Sequence, residues 1–131
     1  MTVYLSVEQI LALLNGLVDE FGGLAGIRDR GSLESAVARP AMTFGGEDLY
    51  PDIAAKGAAL MHALVLNHPF LDGNKRIAVA AAEFFFLING QSLVASDSEL
   101  EAITMNAAEG KVEVEALGIW FRQRLRSLEL S

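Results

Sequence analysis

The sequence predicts an all-α fold, with about six helices packed around one central buried pair. Three observations point to it. Helix start signals recur, most clearly the capping boxes formed by Ser6 with Gln9 and by Ser96 with Glu99. Apolar residues return at three- and four-residue spacing, and no stretch shows the strict alternation of a half-buried strand. Two stretches, 54–67 and 74–89, are apolar on nearly every side, as helices at the centre of a fold are. A chain of 131 residues fits one domain, spanning 1–131.

The elements follow in order. The first helix starts after its cap, Ser6, and carries Ile10, Leu13, Leu14, Leu17, Val18 and Phe21 at helical spacing until Gly22-Gly23 stops it. A loop over 24–31 holds Arg28, Asp29 and Arg30 between glycines. Ser32 is the expected cap of a short second helix through Leu33, Ala36 and Val37. That helix ends before Pro40, because proline disfavours helical geometry in the residue preceding it. Residues 41–49 read as turns around Gly45-Gly46, and Pro51 suits the first turn of the next helix. The third helix, 54–67, must end near Asn67, since His68 precedes Pro69. After a loop over 68–73, the fourth helix runs from Asn74 to Asn89, with Gly90 as its stop. Residues 91–95 suit a short extended segment. The second capping box opens a fifth helix to about Glu109, stopped by Gly110. The last helix, about 114–128, is acidic at its start (Glu113, Glu115) and basic at its end (Arg122, Arg124, Arg126), which complements the helix dipole.

Composition removes several functions. Hydrophobic residues make up 52 % and mean hydropathy is +0.34, which excludes a disordered chain. The richest apolar run, 77–88, is too short to cross a bilayer and contains Glu83, so no membrane association is expected. The start of the chain lacks the basic region of a signal peptide, and there is no cysteine, so disulfides and thiolate metal sites are excluded. Both features fit a cytoplasmic protein. Lys and Arg number 10 against 17 Asp and Glu, a net charge of −7. No broad basic footprint or basic reading helix for nucleic acid is present, so direct nucleic-acid binding is not expected and any anion site must be local.

The chemistry concentrates between the two most apolar helices, in His68-Pro69-Phe70-Leu71-Asp72-Gly73-Asn74-Lys75-Arg76. Burying such polar groups without partners is costly. Gly73 lets the backbone turn, and Asn74 is the expected cap of the fourth helix. The first amides of that helix then point outward at its positive end, where Lys75 and Arg76 add full charges, making a pocket suited to phosphates. An imidazole is the usual proton acceptor near neutral pH, which gives His68 the role of base. Asp72 is a hard oxygen donor, and Mg²⁺ is typically held by one or two carboxylates together with substrate phosphates. Phe70 is expected to anchor the loop in the core. A base, a metal carboxylate and an anion nest together suggest attack by a hydroxyl on a nucleotide phosphate.

The nine residues from His68 to Arg76 resemble the Fic signature H-x-F-x-[D/E]-[G/A]-N-[G/K]-R. Phe21-Gly22-Gly23-Leu24, Gly26-Ile27-Arg28-Asp29, Gly31-Ser32-Leu33-Glu34-Ser35-Ala36, Asn89-Gly90 and Ala107-Ala108-Glu109-Gly110 are similar to stretches of the death-on-curing (Doc) toxin branch. The resemblance covers essentially the whole chain. It implies a compact Fic-like bundle and the toxin of a bacterial type II toxin–antitoxin pair. The activity it implies is that of a protein kinase, transferring the ATP γ-phosphate to a threonine hydroxyl of elongation factor Tu and arresting translation, with ATP and Mg²⁺ required. By resemblance His68 is the general base, Asp72 holds Mg²⁺, and Gly73, Asn74, Lys75 and Arg76 hold phosphates. The catalytic set is then His68, Asp72, Lys75 and Arg76. The implied partner is a Phd-like antitoxin that lays an amphipathic helix into an apolar groove, which would also account for apolar residues beyond the needs of the core.

Two positions depart from the wider Fic pattern, which has Gly where Lys75 stands and a second Arg where Val79 stands. In Fic enzymes that transfer AMP those groups help seat the α- and β-phosphates, so their loss speaks for a kinase over AMP transfer to a protein hydroxyl. A non-catalytic Fic-fold binding module is the other alternative, and the complete set of motif side chains speaks against it. Elsewhere, His62 is expected to be a packed, hydrogen-bonded core histidine. Glu83, seven residues after Arg76, is expected to pair with it. Phe84, Phe85, Phe86, Trp120 and Phe121 are expected to pack the core. Arg28 and Arg30 either contact substrate or nucleotide or belong to a solvated loop.

Overall fold

The computed structural model describes residues 1–128. Their helices are α1 (Val7–Phe21), α2 (Arg30–Ala38), α3 (Ile53–Asn67), α4 (Asn74–Ile88), α5 (Asp97–Ala108) and α6 (Val114–Arg124). The strands are two or three residues each: β1 (Thr43–Phe44), β2 (Glu47–Asp48), β3 (Gln91–Leu93) and β4 (Leu125–Ser127). The architecture is the all-α one that the helix signals predict. No described helix is long and apolar enough to cross a membrane.

The helix α3 is the axis, packed against α2, α4, α5 and α6. Its Ala58, Leu60, Met61, Leu64 and Val65 are buried, as are Ile77, Ala78, Ala81, Phe85 and Phe86 of α4. Each large side chain so buried stabilises the fold by about 2 kcal/mol. Small residues set how closely the helices approach. A methyl group on Gly57 would overlap the Phe86 ring, and one on Gly118 of α6 would lie 3.5 Å from the Ala55 Cα. Phe86 meets Phe121 edge-on, with centroids 5.0 Å apart, which joins α4 to α6 beside α3.

Helix starts at Ser6 and Ser96 are capping boxes, as the sequence implies. Three other starts differ from expectation. α2 is capped by Asp29, whose Oδ1 accepts the Ser32 amide at 3.1 Å, so the helix begins before Ser32. The amide and hydroxyl of Ser32 hold the Asp29 carboxyl below the ordinary carboxylate range, and its charge suits the positive helix end. α3 is capped by Asp52, and Pro51 lies outside the helix. α4 begins after Gly73, because the Asn74 side chain is engaged elsewhere.

The last helix also stops earlier than its sequence suggests. From Leu125 the chain is extended and pairs antiparallel with β3, Leu125 opposite Leu93 and Arg126 opposite Ser92. Arg126 is therefore a strand residue. Arg122 and Arg124 are the basic residues of the last helical turn. Arg122 donates to Asp52 from Nε at 2.7 Å and from Nη2 at 3.0 Å, and Arg124 stacks 4.0 Å above the Trp120 ring. The turn at Gly45-Gly46 closes the β1–β2 hairpin.

One buried polar residue escaped the sequence reading. Lys56, in the middle of apolar α3, is 1 % exposed. Its Nζ donates to Asp48 Oδ2 at 3.0 Å and to the Tyr50 carbonyl. The ammonium thus fastens the end of the hairpin onto α3. Lys56→Ala is expected to lower unfolding free energy by about 3 kcal/mol, since it removes buried packing and strands the Tyr50 carbonyl. Lys56→Met, which keeps most of the volume, should lose less. Urea unfolding of both variants checks this, and an unchanged midpoint for Lys56→Ala would contradict it.

Candidate active site

The motif loop leaves α3 through a strained turn. His68 has φ 46° and ψ 56°, the left-handed conformation, and among the described residues it is the only non-glycine with positive φ. Glycine or asparagine usually takes this place after a helix. Residues 26–29 run alongside and hold the turn. Arg28 Nε donates to the His68 carbonyl at 2.6 Å and Nη2 to the Asn67 carbonyl at 2.8 Å. The amides of Arg28 and Asp29 both donate to the Pro69 carbonyl, at 2.7 and 3.1 Å, and the Leu71 amide donates to the Gly26 carbonyl at 3.1 Å. Asn67 Nδ2 donates to the Ser32 carbonyl at 3.1 Å, which brings in α2.

The second half of the loop is closed from inside. Phe70 is 1 % exposed and anchors the loop in the core, as expected. Asn74 reaches back to it: Nδ2 donates to the Phe70 carbonyl and Oδ1 accepts the Phe70 amide, both at 3.0 Å. Both ends of the carboxamide are used, so Asn74 is a loop brace rather than a helix cap. What it can offer a ligand is its backbone amide. Gly73, with φ 74°, turns the chain into α4, and the first helical bond runs from the Ile77 amide to the Gly73 carbonyl at 2.9 Å. The amides of Asn74, Lys75 and Arg76 are therefore left without an acceptor among the described residues, at the positive end of α4.

Lys75 and Arg76 are exposed and form no ion pair among the described residues. Arg76 places its guanidinium 4.4 Å above the Phe21 ring at the end of α1. Asp72 Oδ1 accepts the Gly73 amide at 2.9 Å. Its Oδ2 faces Gly23, whose φ of 106° favours glycine, and a methyl group there would come within 2.8 Å of the oxygen and displace the carboxylate. A cleft of about 40 Å³ lies between Gly22, Gly23, Asp72, Gly73 and Arg76. Among the described residues, no group of three or more His, Asp or Glu could hold a metal by itself. One open carboxylate oxygen beside an anion pocket fits Mg²⁺, which completes its shell with phosphate and water. His68 is exposed and lines neither this cleft nor the larger groove described below.

The Fic/DOC family model matches residues 4–86, which takes in the 26–29 strap, the motif and most of α4. The chain belongs to the Fic/DOC family. It is 48 % identical over 95 residues to a protein named Toxin Doc from Mycolicibacterium smegmatis, covering 72 % of this chain and 71 % of that one. It is 30 % identical over 126 residues to a protein named Protein kinase doc from Escherichia phage P1, covering 96 % of this chain and 98 % of that one.

Beside its motif this Fic/DOC chain carries a groove of about 520 Å³ between α1, α4 and α5. Leu17, Val79, Ala80, Leu100 and Met105 make apolar walls, and Lys75 and Arg76 stand at one end. The expected pair between Arg76 and Glu83 is not made, because the Arg76 guanidinium lies over Phe21 instead. Glu83 is half-buried in the groove wall with Asp97 nearby. His62 is partly buried, with Nε2 3.1 Å from the Val112 carbonyl, in line with a hydrogen-bonded structural histidine. Arg30 is an exposed residue of α2, 3.9 Å from Glu34. Of the two arginines whose roles the sequence left open, Arg28 braces the end of α3. Its signal was indirect: a helix that ends before a proline, with no glycine after it, needs donors for its last carbonyls.

Burial first, and then the charge of Asp97, push the Glu83 carboxyl above its ordinary value of 4.5. The folded state therefore holds this proton more tightly than the unfolded state, and ionised Glu83 opposes folding above the raised value. Glu83→Gln is expected to raise the melting temperature at neutral pH and to lose that advantage below about pH 4. Thermal melts at the two pH values check this, and an equal gain at both would contradict it.

Proposed function

We propose that this chain is the toxin of a type II toxin–antitoxin pair, a Doc-type protein kinase that transfers the ATP γ-phosphate to a threonine hydroxyl of elongation factor Tu and arrests translation in the cytoplasm. The observation that carries the reading is the start of α4. Three amides and two cations with no acceptor or ion pair among the described residues meet the Asp72 carboxylate there. That combination suits a polyphosphate with a divalent cation better than an isolated carboxylate ligand. The name of the phage P1 relative, matched along nearly all of its length, supports the kinase reading.

In this mechanism the amides of Asn74, Lys75 and Arg76 and the two cationic side chains orient phosphate oxygens. Gly73 keeps that face clear of a side chain, and the Asn74 carboxamide keeps the loop closed. Asp72 would hold Mg²⁺ through Oδ2, and a bound Mg²⁺ supplies charge neutralisation on the phosphates. His68 accepts the proton of the attacking threonine hydroxyl, whose oxygen bonds to the γ-phosphorus as ADP leaves. Lys75 and Val79 favour a kinase over AMP transfer, since no second guanidinium stands on α4 three residues after Arg76. A Phd-like antitoxin, as an amphipathic helix, suits the groove beside Arg76, whose apolar walls lie open at the edge of the site.

Incubation with elongation factor Tu and ATP labelled at either the α- or the γ-phosphate tests this reading. Label is expected on the factor from the γ-position only. Label from the α-position alone would overturn the kinase and establish AMP transfer. His68→Ala is expected to slow transfer about 10²–10⁴-fold, and retained transfer would remove His68 as the base.

A further inference from the structure

The turn at His68 raises a question that the motif alone does not answer. A residue with a β-carbon pays an energetic cost for the left-handed conformation, and the conformation persists only where surrounding contacts impose it. The contacts that impose it converge on residue 28. The two guanidinium bonds of Arg28 take the carbonyls of Asn67 and His68, at 2.8 and 2.6 Å, and its own amide takes the carbonyl of Pro69 at 2.7 Å. One residue thus holds three successive carbonyls across the end of α3. The planar fork of a guanidinium can span two neighbouring oxygens in a fixed geometry, which an ammonium does not match. The positive charge also sits at the negative end of the α3 dipole. Arg30, two residues on, has no such contact and lies 3.9 Å from Glu34 on its own helix.

We propose that Arg28 is the positioning residue of His68. Its guanidinium fixes the left-handed turn that ends α3, and with it the direction in which the imidazole leaves the backbone. In this role Arg28 touches neither substrate nor nucleotide. The kinetic consequence rests on the transferase reading above, whereas the conformational consequence does not.

The test uses Arg28→Lys, Arg28→Ala and, as a control, Arg30→Ala. The first readout is the three-bond amide–Hα coupling and carbonyl chemical shift of His68 in the free chain, which report its backbone conformation. The second is kcat and KM for ATP in γ-phosphate transfer. In Arg28→Lys the melting temperature should stay near that of the wild type while the His68 coupling moves towards an averaged backbone. Its kcat should fall about tenfold to a hundredfold, with KM for ATP unchanged. Added guanidinium ion should restore part of the lost kcat in Arg28→Ala, and Arg30→Ala should match the wild type in both readouts. An unchanged His68 coupling and shift in Arg28→Lys would overturn the proposal, whatever the stability of Arg28→Ala. A rise in KM for ATP at constant kcat would also overturn it, making Arg28 a nucleotide contact. If the wild type itself transfers no γ-phosphate, the kinase reading fails and the His68 coupling still decides the role of Arg28.

Discussion

A loop that joins two apolar helices has to find partners for its peptide groups outside the backbone ladders of those helices. This constraint governs the site. α3 and α4 are buried along most of their length, and the residues between them find partners in two places. The 26–29 strap takes the carbonyls of 67–69 and the Leu71 amide, and the Asn74 carboxamide takes both backbone groups of Phe70. Because Asn74 is spent on the loop, α4 starts without a side-chain cap. Its first amides are then free at the position where Lys75 and Arg76 add charge. The free amides are a by-product of how the loop is braced.

The same economy shows in the packing. Gly57 lets Phe86 of α4 press against α3, and Lys56 reaches out of the core to fasten the hairpin. A motif carried between rigid helices is held more tightly than one on a free loop, which is what the proposed base and phosphate site would demand. Most of the apolar residues fill the core around α3, some wall the groove between α1, α4 and α5, and others, such as Phe44, Leu66 and Leu87, lie exposed elsewhere.

The helices were legible because their signals are local: capping boxes, terminal glycines and a proline after α3. The motif was legible for the same reason, since its six polar or turning residues are fixed by spacing alone. What the sequence hid was decided by distant partners. Leu125-Arg126-Ser127 continues a helical pattern, and only pairing with 91–93 makes it a strand. Asp29 and Ser32 are both able caps, and geometry chose the first. Glu83 and Arg76 lie two turns apart near one face of α4, and the aromatic ring of Phe21, from another helix, takes the guanidinium. Lys56 was masked by its apolar neighbours, and its partners lie on a hairpin that the sequence showed only as turns.

A loop braced in this way is formed in the free chain, without any ligand, and native-state hydrogen exchange measures that most directly. The amides of Arg28, Phe70 and Leu71, each bonded within the protein, should be protected to the same degree as those of α3. The amides of Asn74, Lys75 and Arg76 should exchange as fast as the exposed turn at Gly45-Gly46. Fast exchange at Phe70 and Leu71, level with that turn, would show a loop ordered only by its ligand and would contradict the preformed site.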